Sequence, residues 1–135
     1  MDKPMGHLAM LLRSMEPILH RGVYTYCVVS RETSIDNLTP VAMVSEAEGL
    51  TLVLPEEQAI NAGFSVLLRA AWITLTVHSV LQAVGLTAAF ATALAQHSIS
   101  CNVVAGAYHD HLFVPSEQAQ QALAVLQALQ QEALQ

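Results

Sequence analysis

The side chains in this sequence best equipped for chemistry are His78 and the run His109-Asp110-His111. Three imidazoles and a carboxylate form a donor set that zinc or another transition metal accepts. A strand over Trp72–Val77, antiparallel to one over His111–Val114, would bring His78 beside a hairpin tip carrying His109 and Asp110. His109 and His111 share a face only if the second strand extends through both. The competing reading needs no metal: Asp110 makes its own turn and the histidines are hydrogen-bonded or solvated, shaping a ligand site nearby.

A second candidate is the turn Ser79–Leu86. A helix opening at Leu86 presents free backbone N–H groups and a partial positive charge, which suit a ligand carboxylate. Gly85 lacks a Cβ and lets a ligand approach the backbone closely. The expected ligand-binding set is therefore His78, Ser79, Gln82, Val84, Gly85 and Leu86. The alternative is that Gly85 only makes the turn while Ser79 and Gln82 form a local cap. A hydrolase triad of Ser79, a histidine and Asp110 lacks the G-x-S-x-G elbow around the serine. No catalytic residue is assigned, the chain is read as not an enzyme, and no cofactor is implied.

These residues need a scaffold, and the composition supplies one. Of 135 residues 53% are hydrophobic and 12% charged, enough apolar surface for a packed core. A mean hydropathy of +0.44 suggests that some apolar surface is covered by a second copy, giving a homodimer or higher homo-oligomer. The apolar run Ala83–Ala95 is too short for a membrane helix, and no signal-peptide cleavage site follows Met1–Pro4, so a cytoplasmic protein is expected. Five basic residues stand scattered in a chain of net charge −6, which argues against nucleic acid. The single lysine, Lys3, lies in the tail, against Schiff-base and phosphate-loop chemistry. Cys27 and Cys101 stand alone and are expected as buried thiols.

Hydrophobic spacing predicts a helix over 4–16, closed by Pro17 and Gly22, then a strand over Val23–Val29 and a loop over Arg31–Pro40. A hairpin follows over Val41–Ala47 and Leu50–Leu54, then a helix over 55–62 ended by Gly63. Strands over Phe64–Leu68 and Trp72–Val77, a helix over 86–97, a hairpin over Cys101–Ala107 and His111–Val114, and a final helix after Pro115 complete the chain.

The pattern repeats. A slide of 60 positions puts Val44 on Val104, Ala47 on Ala107, Leu52 on Leu112, and Pro55, Glu57, Gln58 and Ala59 on Pro115, Glu117, Gln118 and Ala119. A slide of 49 puts Tyr24, Tyr26 and Val28 on Ile73, Leu75 and Val77. The chain thus reads as an internal duplication whose first copy lacks a helix, with the helix at 4–16 expected to fill that space. The fold class expected is α+β: two ferredoxin-like βαββαβ units, 1–69 and 70–135, with antiparallel sheets and helices on one face.

Ala83-Val84-Gly85-Leu86-Thr87, then Ala93-Leu94-Ala95 and Ser98-Ile99-Ser100, resembles the ACT signature, with Val84 where a proline often sits and Ser100 where many members carry Asn. Together with Ile73-Thr74-Leu75, Val77-His78-Ser79, Asn102-Val103-Val104-Ala105-Gly106 and His109–Pro115, it resembles small bacterial tandem ACT-like proteins related to the regulatory part of aspartate kinases. The resemblance implies a regulatory or sensing protein that binds a small molecule, an amino acid by family analogy. The rival reading is a protein-interaction module with a vestigial ligand site, or a weak metal binder through His109-Asp110-His111.

Overall fold

Two-residue alternation and helical spacing translate, among the described residues, into seven strands and four α-helices. A computed structural model of the chain describes residues 4–76 and 84–134. The elements are α1 (Pro4–Ser14), β1 (Pro17–Leu19), β2 (Tyr24–Val29), β3 (Ala42–Glu46), β4 (Gly49–Pro55), α2 (Glu56–Ala62), β5 (Val66–Leu75), α3 (Leu86–Ala95), β6 (Asn102–Ala105), β7 (Asp110–Pro115) and α4 (Ala119–Ala133). All strands pair antiparallel in one sheet ordered β3-β4-β2-β5-β7-β6, with β1 also on β5.

The sheet contains two ferredoxin-like sets. The first, β3-β4-β2-β5, and the second, β6-β7-β5-β1, share β5. The pairing changes over at Ala70, which faces Tyr24 on one side and Pro115 on the other. The expected strands Phe64–Leu68 and Trp72–Val77 are therefore one continuous strand. Arg69 and Ala70 break the apolar run in the sequence without breaking the backbone ladder. The slide of 60 holds in register: Ala42 pairs Val53 as Asn102 pairs Phe113, and Pro55 and Pro115 have nearly the same backbone, φ −52° and −53° with ψ 135°.

The slide of 49 does not hold. Tyr24 pairs Pro55 and Ala70 pairs Pro115, so Tyr24 corresponds to Ala70, an offset of 46 (70 − 24). An odd difference of three moves a strand residue to the other face of the sheet. Tyr24 lies on the side without helices, whereas Ile73 packs under them.

The N-terminus is the second correction. Pro17 does not end the segment; it starts β1, whose Leu19 lies opposite Ile73 on β5. Proline is admissible there as the first residue of a short strand. The helix ahead of it, α1, packs on α3 and α4 and not in the first set, with Leu11 and Met15 buried in their core. N-terminal residues thus supply the strand that the second set lacks at its own end. In the first set the space of the missing helix is taken by the loop 30–41, whose Ile35 and Leu38 cover Cys27, Leu52 and Leu54.

All four helices lie on one face. The main core joins Leu11 and Met15 to Ile73, Leu75, Phe90, Leu94, Leu112 and Leu126. The other face carries Tyr24, Tyr26, Trp72, Val104 and the buried Val53, Ala70 and Phe113. Cys27 is buried and Cys101 partly so; both are free thiols, and burial pushes the Cys101 thiol up to about 11. Among the described residues no helix is long and apolar enough to cross a membrane.

Candidate ligand-binding site

The strand β5 feeds toward α3, whose first residue Leu86 is buried along with Phe90 and Leu94, one turn apart. That stripe packs the helix into the main core with Ile73, Leu75 and Leu112 of the sheet. Gly85 caps it with φ +95°, a left-handed conformation that costs a residue with a Cβ about 1–2 kcal/mol, and among the described residues no side chain caps the helix. Val84 is 82% exposed, while the side chain of Leu86 is buried. Leu8 of α1 lies 3.3 Å from where a Cβ on Gly85 would sit. His78, Ser79 and Gln82 lie outside the described residues.

The hairpin tip meets the end of β5 as the spacing requires. Leu75 pairs Asp110 and Thr74 pairs His111, which brings the start of β7 beside the end of β5. Strand β7 begins at Asp110, so His109 and His111 do not continue one strand face. Asp110 is buried, and burial raises its carboxyl above 3.8, with His111 pulling weakly the other way. Among the described residues no three His, Cys, Asp or Glu side chains converge as a metal site would require.

His111 is instead bound into an aromatic network. Trp72 Nε1 donates to its Nδ1 at 3.1 Å, and Thr74 Oγ1 lies 3.1 Å from the same nitrogen. An indole N–H can only donate, so Nδ1 accepts and the neutral ring carries its proton on Nε2. Thr74 also contacts His20 Nε2 at 2.7 Å, and the His20 ring stacks on Trp72 at 3.5 Å. His20 was absent from the expected site. It sits in the kink between β1 and β2, and no local motif in the sequence pointed to it.

Both imidazoles are held below 6.5, His20 by burial and then by His111, His111 by burial and then by His109 against the opposing pull of Asp110. A base whose folded pKa is lowered gives stability that is complete above about pH 6.5 and lost as pH falls through the lowered values. The urea midpoint should therefore decline on acidification from pH 7 toward 5. Asp110, whose carboxyl is raised by burial, acts with the opposite slope. His20→Phe, which preserves a ring over Trp72, should flatten the decline; an unchanged slope would refute the assignment.

Two larger hollows lie elsewhere on the described surface. One of about 420 Å³ lies between α3 and α4, and one of about 410 Å³ between the loop 30–41 and α2. Neither includes Val84–Leu86 or the hairpin tip.

Two ferredoxin-like sets sharing a strand, with helices on one face, define a tandem α+β protein of the ACT type. ACT domain models match residues 5–70 and 68–128, and the chain belongs to the ACT domain family. That membership makes it a non-catalytic regulatory protein. It is 51% identical to VC0802 of Vibrio cholerae, a protein of unknown function described as a possible transport protein, over 95% of this chain and 99% of that one, with a TM-score of 0.85. Atu0741 of Agobacterium tumefaciens matches at 18% identity over 86% and 89% of the two chains, with a TM-score of 0.68. The regulatory subunit of aspartate kinase from Thermus thermophilus matches at 11% identity over 84% and 95%, with a TM-score of 0.65. These last two share the fold. No curated protein matches the chain.

Proposed function

We propose that the chain is a cytoplasmic sensor of a small metabolite, an amino acid, held by its carboxylate at the start of α3. It reads as two units, 1–69 and 70–135, that associate with further copies and complete the site at an interface between units. Binding then biases an association equilibrium or a partner's conformation through differential affinity for two states. The observation that carries this reading is the helix start itself: α3 opens at Gly85 with no side-chain cap among the described residues, beside an exposed Val84, in a chain of the ACT family.

The test is a thermal-shift screen of the twenty amino acids and divalent metals. A ligand at 100 times its Kd adds about 2.7 kcal/mol of stability. Gly85→Val is a poor control, since the positive φ and the nearby Leu8 side chain would destabilise the fold directly. Val84→Asp is the better one. Its exposed position leaves stability unchanged, and its carboxylate repels that of the ligand, so the response should fall at least tenfold. No response to any amino acid would overturn the reading. A response to zinc alone, lost in His109→Ala, would replace it with metal binding.

A further inference from the structure

The face of the sheet without helices is not flat. β3 and β6 stand at opposite ends of the order β3-β4-β2-β5-β7-β6, five strand spacings apart. In a flat sheet that is about 24 Å. Yet Val41 and Ala42, at the start of β3, line one pocket with Val104 of β6. The sheet therefore curls toward its helix-free side until its two edges face one another, and Tyr26 meets Phe113 edge-on at 5.8 Å inside the trough.

The pocket measures about 140 Å³ and is walled by Val41, Ala42, Trp72, Val104, His111 and Phe113. Its chemistry is narrow. Two aromatic rings and three aliphatic side chains surround it, none of the six walls carries a fixed charge, and the one imidazole is committed at Nδ1 to Trp72. A buried ionic group without a counter-charge is strongly disfavoured. A wall that offers water few hydrogen-bond partners holds it poorly, and an engineered dry cavity of about 150 Å³ in another protein takes benzene.

We propose that this pocket is a second ligand site, separate from the start of α3, for an uncharged apolar molecule of about benzene size, an aromatic ring or a short branched hydrocarbon. The guest bridges the two edges of the curled sheet, one from each half of the chain. It thereby holds the trough closed.

The sequence's single tryptophan stands in the wall, so its indole N–H gives one unambiguous resonance at the pocket. Titration of the full chain with benzene should give a saturable shift of that resonance and of the His111 ring signals. Benzoate, the same ring with a charge, should bind at least tenfold more weakly. Ala42→Leu fills the pocket from β3, and Val104→Phe fills it from β6; each should abolish the benzene response while the cooperative thermal transition persists. If one variant fails to fold, the other decides. No saturable shift with benzene, equal binding of benzoate, or benzene binding retained in a folded filled variant would each overturn the proposal.

Discussion

Removal of residues 1–19 should leave a chain without a cooperative thermal transition, even though the deleted segment precedes both hairpins. The segment contributes Leu11 and Met15 to the main core, with Leu8, Leu12 and Leu19 packed against it. Burying side chains of this size is worth about 1.5–3 kcal/mol each. The two fully counted residues alone amount to roughly 3–6 kcal/mol, against a total stability of about 5–15 kcal/mol for a domain. Loss of β1 also strips partners from Ile73, Thr74 and Leu75, leaving an open apolar edge on the strand that both halves share. Hydrogen exchange locates the damage: amides of 73–75 and 112–114 should lose protection, while those of 52–54 should keep more of it. Were the helix a plug for the first half, the order would be reversed. A truncated chain melting cooperatively within a few degrees of the full one would show that the N-terminal strand is dispensable.

Gly49→Ala should be the most costly single-methyl addition among the described glycines. The backbone there has φ +155°, and an added Cβ would stand 2.6 Å from the carbonyl oxygen of Val29 on the neighbouring strand. A backbone carbonyl in a ladder cannot turn away as the end of a side chain can. Relief requires β2 and β4 to separate or the β3–β4 turn to rebuild, at a cost of roughly 2–4 kcal/mol. For a chain of this length that lowers Tm by on the order of 10 °C. Gly63→Ala provides the comparison. Its φ of +73° is also left-handed, but nothing lies within 4 Å of the added methyl, so the loss is about 1–2 kcal/mol. Equal Tm values for the two variants would refute the steric argument.

The two glycines illustrate a wider difference between what was legible and what was not. Gly63 could be read as a helix terminator because capping is local: it needs only the periodic run before it. Glu48-Gly49 also reads locally, as the turn of a hairpin, but the steric demand on Gly49 comes from Val29, twenty positions away. His20 and His111 divide in the same way. The hairpin put His111 near the end of β5 through strand register, which alternation fixes. His20 reaches the same cluster only because β1 folds back onto β5, and three residues of strand behind a proline leave no usable periodicity.

By itself the sequence determined the hairpins and the helix stripes, because each depends on spacing within one segment, and the 60-residue repeat, because it needs only two segments compared; the ACT character entered as a resemblance. Pairing across the chain was decided only in three dimensions. Which strand completes the second set, that β5 serves both, and that the sheet curls its far edges together depend on apolar surfaces meeting at long sequence separation. There the total area removed from water selects the partner, not any residue's own preference.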